Sequence, residues 1–204
     1  MNANRLLLAG LVVLICLGPL RADSPQQRSA AETMDIVMWG REPIGGPFAL
    51  IDHSGQERRD TDFRGKLMLI YFGFTYCPDI CPTDLLNMSL AIDQLGEDGN
   101  HVQPLFVSVD PERDTAPHLA QYVSLFHPRL VGLTGRLDAI RSAANAYKVY
   151  FAKVSTGSGE YTVDHSAFIY LMGESGQYLG FFPPSTTPER IAQTIRKELL
   201  AGRR

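Results

Sequence analysis

Two nearly unbroken apolar runs set the framework of the chain. Lys66 to Phe74 (KLMLIYFGF) and Val102 to Asp110 (VQPLFVSVD) are rich in β-forming residues and read as strands covered on both faces, the pattern of central strands in an α/β sheet. Between them Leu85, Leu86, Met88, Ile92 and Leu95 recur at helical spacing, and Gly96 with Gly99 ends that segment. Phe48 to Asp52, closed by His53-Ser54-Gly55, reads as an earlier strand and turn. Ala116 to Phe126 reads as a second helix stopped by His127-Pro128, and Leu130 to Leu133 as a short strand. Arg136 to Val149 reads as a third helix with Leu137, Ile140, Ala144 and Tyr147 on one face. Ser166 to Met172, a turn at Gly173 to Gly176, and Gln177 to Phe182 form an expected β-hairpin. Pro188 to Leu200 closes the chain as an amphipathic helix. Alternation of strands and helices predicts the α/β class, a central mixed sheet flanked by helices with a C-terminal hairpin and helix. Met68, Met88 and Met172 fall within apolar patterns and are expected in the core.

The N-terminus breaks this pattern. Arg5 precedes the uncharged stretch Leu6 to Leu20, and polar residues follow from Asp23 onward. Residues 1–22 therefore read as an export signal. As a helix the stretch spans about 22 Å, short of the ~30 Å hydrocarbon layer, which favours a cleaved signal. Leu20 stands where a small residue is preferred before cleavage, so a short membrane anchor is the alternative. Residues 23–44 are polar and read as a tether, leaving residues 45–204 as one domain.

Composition narrows the function. The 204 residues are 45% hydrophobic and 20% charged, enough to bury a core and too apolar for a disordered chain. Without its first 22 residues the chain carries 17 basic and 22 acidic side chains, a balance of −5, and a nucleic-acid surface is not expected. Outside the leader the only cysteines are Cys77 and Cys81.

Cys77 and Cys81 lie in Cys-Pro-Asp-Ile-Cys-Pro, between the first buried strand and its helix, where an α/β sheet presents its carboxyl end to ligands. With Asp79 as the helix cap, Pro82 takes the third helical position, Cys81 lies in the first turn and Cys77 just before it. Unpaired N–H groups and the positive helix end favour thiolate, suiting a nucleophile or a metal ligand. Four residues of regular helix separate Cβ atoms by about 5–6 Å, more than the ~3.8 Å of a relaxed disulfide. A structural disulfide, a redox dithiol and a metal site are the three readings of the pair. Among five histidines, His53, His101, His118 and His127 read as surface residues in turns or at helix ends. His165 stands in Thr162-Val163-Asp164-His165-Ser166 at the mouth of an apolar strand, beside an acid and without an obvious packing purpose.

Taken together, Tyr71 to Pro82 (YFGFTYCPDICP), Val107 to Thr115 (VSVDPERDT) and Asp164-His165-Ser166 resemble the Sco/SenC family of copper-binding assembly factors for cytochrome c oxidase, over roughly residues 45 to 200. The resemblance implies a thioredoxin-like fold in which Cys77, Cys81 and His165 bind one copper ion, Cu(I) or Cu(II). It also places His165 where thioredoxin relatives carry a proline against their cysteine pair. Two thiolates and an imidazole suit both oxidation states, and three ligands leave the ion accessible for transfer. The implied function is an exported, periplasmic copper chaperone, soluble or anchored, delivering to the binuclear copper centre of oxidase subunit II or another copper acceptor. The alternative is a thiol-disulfide oxidoreductase that uses Cys77 and Cys81 and is paired with a thiol reductant; a thiol peroxidase would leave His165 without a role. Asp164 is a candidate to orient His165. Asp110-Pro111-Glu112-Arg113-Asp114 reads as a turn capping the next helix, or as a docking element for the acceptor. Phe74 and Tyr76 are expected to wall the site.

Overall fold

The computed structural model describes residues 43–157 and 159–202; the expected signal and nearly all of the expected tether lie outside the described residues. Among the described residues nine strands form in chain order: β1 Ala49–Asp52, β2 Glu57–Arg59, β3 Leu67–Gly73, β4 Val102–Ser108, β5 Val131–Thr134, β6 Phe151–Gly157, β7 Glu160–His165, β8 Ile169–Met172 and β9 Tyr178–Phe182. The helices are α1 Ile80–Leu95, α2 Ala116–Val123, α3 Leu137–Ala146 and α4 Pro188–Gly202, with 3-10 turns at Asp60–Phe63 and Gly96–His101.

Seven strands make one mixed sheet in the order β2-β1-β5-β4-β3-β8-β9. Strands β3, β4 and β5 run parallel, as their crossover helices require, whereas β1 and β8 join antiparallel on either side. All seven residues of β3 are buried, which explains its unbroken apolar run. Helices α1 and α4 pack against each other, α2 lies over β5 and α3 beside β1. Met68, Met88 and Met172 are core residues, as their spacing predicts. Among the described residues no helix is long and apolar enough to cross a membrane.

Strand β2 and the ribbon of β6 and β7 are additions to the expected order. His165 does not open the apolar strand; it ends β7, which pairs only with β6 in a separate two-stranded ribbon. The chain turns at Ser166, whose N–H donates to the Tyr150 carbonyl (2.9 Å) while its hydroxyl accepts from the Tyr150 N–H (3.1 Å). The apolar strand then starts at Ile169.

Candidate metal centre

The cysteine loop follows directly from β3. The Gly73 carbonyl accepts the Val109 N–H (2.8 Å), tying the ends of β3 and β4 together, and the Cys77 N–H donates to Phe74 O (3.3 Å) in the turn that reverses the chain. Helix α1 starts at Ile80, so Cys81 lies in its first turn and Cys77 just ahead of it. Asp79 is the cap position, but its exposed side chain makes no capping hydrogen bond; its carbonyl instead accepts from the Thr83 hydroxyl (2.9 Å). Cys81 is fully buried, Cys77 is half-buried, and both are free thiols.

The ribbon brings His165 to this loop across 84 residues of sequence, with Nε2 3.4 Å from Cys81 Sγ. The ring is braced edge-on by Phe74 (centroids 5.7 Å apart, planes at 88°) and Tyr71 (6.3 Å, 84°). Its Nδ1 faces the Ser166 carbonyl at 3.1 Å, an arrangement that puts the donor hydrogen on Nδ1 and leaves the Nε2 lone pair toward the sulfurs. That carbonyl takes the orienting role expected of Asp164, whose side chain is exposed. Ligand atoms of Cys77, Cys81 and His165 all lie within 4.8 Å of one another, and they are the one such His/Cys/Asp/Glu group among the described residues.

The two sulfurs hold one proton unequally. A hydrogen bond from Cys81 holds Cys77 down at about 3, with burial opposing and backbone N–H groups assisting. The bond to Cys77 and burial push Cys81 up. Cys77 is therefore the standing thiolate, half-open to solvent, and Cys81 is the buried thiol beside the imidazole. Metal ligation at Cys81 must release its proton. Two soft sulfurs and one borderline nitrogen, without a fourth ligand in the cluster, form a donor set suited to a monovalent or divalent copper-like ion at an open site.

A family model described as SCO1/SenC matches residues 38–200. The chain belongs to the SCO1/SenC family. It is 42% identical over 161 residues to "Protein SCO1 homolog 1, mitochondrial" of Arabidopsis thaliana, covering 78% of this chain and 48% of that relative. It is also 42% identical over 169 residues to "Protein sco1" of Schizosaccharomyces pombe, covering 81% and 64% respectively. The chain thus spans about half to two thirds of the length of these relatives. Among solved structures, Bradyrhizobium japonicum ScoI with copper bound superposes with a TM-score of 0.71 at 43% identity, covering 76% of this chain and 99% of that one. The thioredoxin-like fold is shared with these Sco structures.

Around this SCO1/SenC centre the structure places residues that sequence reasoning assigned elsewhere. Asp110 and Asp114 are fully buried, so neither faces a docking partner, and Thr115, not an aspartate, occupies the cap position of α2. Asp114 accepts hydrogen bonds from Ser108 Oγ (2.6 Å), Thr75 Oγ1 (2.6 Å) and the Thr75 N–H (3.0 Å), which pins the cysteine loop to the end of β4. His118 is half-buried and held in place at the surface: its Nε2 lies 2.8 Å from Thr75 Oγ1 and its ring stacks on Tyr76 at 5.5 Å. His127 is buried with Nδ1 accepting the Arg129 N–H, and His53 Nδ1 accepts that of Gly132; only His101 of the four is exposed. Phe74 is a wall of the site, while Tyr76 is 55% exposed at its rim.

Beneath the site Asp84 is fully buried, with one carboxylate oxygen accepting the Ser185 N–H (2.8 Å) and the other without a protein partner. Burial raises its pKa from 3.8 to about 6, outweighing the Ser185 bond. The folded state therefore binds this proton more tightly than the unfolded chain, so the penalty is absent below pH 3.8 and complete above about 6. Asp84→Asn should raise stability by about 1–2 kcal/mol at pH 7.5 and leave it nearly unchanged at pH 3.5. Urea unfolding of the reduced, metal-free protein at both pH values checks this; an equal effect at both would contradict it.

Proposed function

We propose that this chain is an exported copper chaperone. It binds one copper ion through Cys77, Cys81 and His165 and delivers it to an acceptor, the binuclear copper centre of cytochrome c oxidase subunit II. The observation that carries the reading is the convergence of two thiols and a correctly oriented imidazole nitrogen within 4.8 Å. Copper bound to the Bradyrhizobium relative supports the choice of metal. Export rests on the sequence of residues 1–22, which read as a signal or short anchor, with residues 23–44 as the tether and 45–204 as the working domain.

The mechanism follows from the unequal sulfurs. Cys77, already ionised and half-exposed, meets an incoming ion first. Cys81 then ligates with loss of its proton, and His165 closes the third side without moving its braced ring. Three ligands leave one face of the ion open to an acceptor's thiolates, so release can proceed by stepwise ligand exchange without a free ion. Copper is cargo: it enters and leaves, and the protein supplies position and charge.

A second reading rests on the same Cys77 thiolate. A low-pKa, accessible sulfur next to a second thiol is the arrangement of a thiol-disulfide oxidoreductase, in which Cys77 attacks a partner disulfide and Cys81 resolves the mixed disulfide. The two are separated in two anaerobic arms, the copper-loaded protein with the reduced, metal-free copper domain of subunit II and the metal-free dithiol protein with the same domain oxidised. Chaperone function predicts copper on the reduced acceptor after separation. No transfer, with the oxidised acceptor's disulfide reduced one for one as Cys77 and Cys81 become a disulfide, would replace it with the reductase.

A further inference from the structure

The ribbon that carries His165 meets the core mainly through Val163, with Phe151 and Tyr161 half-buried against it. Most of β6 and β7 is exposed or half-buried, Val163 alone among their residues is fully buried, and two-stranded ribbons are marginal in water. Its base is closed by the Ser166–Tyr150 exchange. Partway along β7, four residues before His165, Tyr161 meets Arg113 of the α2-entry turn.

Arg113 joins three elements at once. Its Nη1 donates to the Tyr161 carbonyl (3.0 Å), and its guanidinium carbon lies 3.8 Å from the Tyr161 ring centroid and 4.6 Å from that of Tyr76, the neighbour of Cys77. Its Nε pairs with the buried carboxylate of Asp110, whose other oxygen accepts the Tyr161 hydroxyl (2.8 Å). The cation is thus held between an aromatic ring of the His165 strand and one of the cysteine loop, on a fixed anion. A planar fork can make the carbonyl bond, the carboxylate pair and two ring stacks together, whereas an ammonium cannot. A further tie, Lys153 to Glu112 at 2.5 Å, is an exposed pair worth little.

We propose that Arg113 is a positioning residue for metal binding, a latch that fixes the His165 strand to the cysteine loop and so sets the reach of the imidazole to the two sulfurs. The inference rests on the copper-binding reading for its metal readout, and on the fold alone for its structural one. With the latch intact the three ligand atoms are preorganised; with it released, the ribbon swings on its base and the site reduces to two sulfurs. Cu(II), which depends on the nitrogen, is then lost far more than Cu(I), which two thiolates hold.

The test uses the full chain carrying Arg113→Lys, which keeps the charge and removes the fork, and Tyr161→Phe, which removes only the hydroxyl on Asp110 and serves if the first variant does not fold. Amide exchange of Thr162 to His165 is expected to accelerate at least tenfold in Arg113→Lys while β3 and β4 amides keep their protection. Cu(II) affinity should fall by about 10–100-fold, with altered nitrogen features in the Cu(II) paramagnetic resonance spectrum, and Cu(I) affinity by less than about threefold. In a His165→Ala background the Cu(II) effect of Arg113→Lys should vanish, because the latch acts through that ring. Unchanged ribbon exchange, or a Cu(II) loss that persists undiminished without His165, would overturn the proposal. Should wild type bind no copper, the chaperone reading fails separately and the exchange rates alone decide the latch.

Discussion

Exchanging Cys81 for serine is expected to lower Cu(I) affinity by more than about a hundredfold, beyond the loss usually caused by removing an orienting neighbour of a ligand. The sulfur it removes is fully buried beneath His165, where water has no easy access to take its place, and a hydroxyl is a hard donor that a soft ion disfavours. Fold loss does not explain such a result in advance, since serine is smaller than cysteine and the shell around position 81 is set by β3 and α1. The same exchange at Cys77 should weaken binding less steeply, because that position is half-open and solvent can supply a ligand. Competition against a chromophoric Cu(I) chelator under anaerobic conditions measures both. Near-wild-type affinity in the Cys81 variant would mean that copper, if bound, is held elsewhere.

The second large effect comes from a residue without a side chain. A Cβ on Gly73 would lie 2.9 Å from Cys81 Sγ, 2.9 Å from the Tyr71 ring and 3.0 Å from the Phe106 ring. All three neighbours are fully buried, so none can swing into solvent. Glycine is needed here for space, where the last residue of β3 passes beneath the sulfur, and not for an unusual backbone angle. Gly73→Ala should therefore cost about 1–3 kcal/mol of stability as an overpacked core position. It should also push the Cys81 sulfur out of register with Cys77 and His165. Urea unfolding and the chelator competition should both shift; a variant with unchanged stability would show that the strand and the sulfur can part at no cost.

How much of this was legible in the sequence depends on what holds each element. Strands β3 and β4 announce themselves because burial on both faces removes every polar residue from most of their length, and the Cys-x-x-x-Cys turn is found by its position after the first of them. Helix boundaries differ by a few residues where side chains fail to cap: α2 ends at Val123 and α3 at Ala146, each earlier than the apolar spacing suggests. The β6–β7 ribbon escaped because neither face is fully covered, so its alternation is blurred by Lys153, Ser155, Thr156 and Thr162. The Gly-Ser-Gly sequence at 157–159 between two β-forming segments was its available signal. Because the ribbon was missed, the reach of His165 to Cys81 rested on family resemblance and not on any reading of the intervening chain.

The supporting residues were hidden for a related reason. Asp110, Arg113 and Asp114 form a plausible turn in any sequence, and only tertiary structure shows that the two carboxylates point inward and that the guanidinium bridges Tyr76 and Tyr161. His118 carried no local mark at all; it joins the site through a hydroxyl 43 residues away in the chain. Long-range polar contacts leave no period in the sequence, whereas apolar packing does.

The central claim is that one copper ion is held by two sulfurs and one imidazole nitrogen. It is tested most directly by X-ray absorption on the reduced protein loaded anaerobically with one equivalent of Cu(I), beside the His165→Ala variant. The account predicts stoichiometric loading, two sulfur scatterers and one nitrogen scatterer with imidazole multiple scattering in the wild type, and loss of that nitrogen signal in the variant. Identical spectra for the two proteins, or copper without sulfur in its coordination shell, would contradict it.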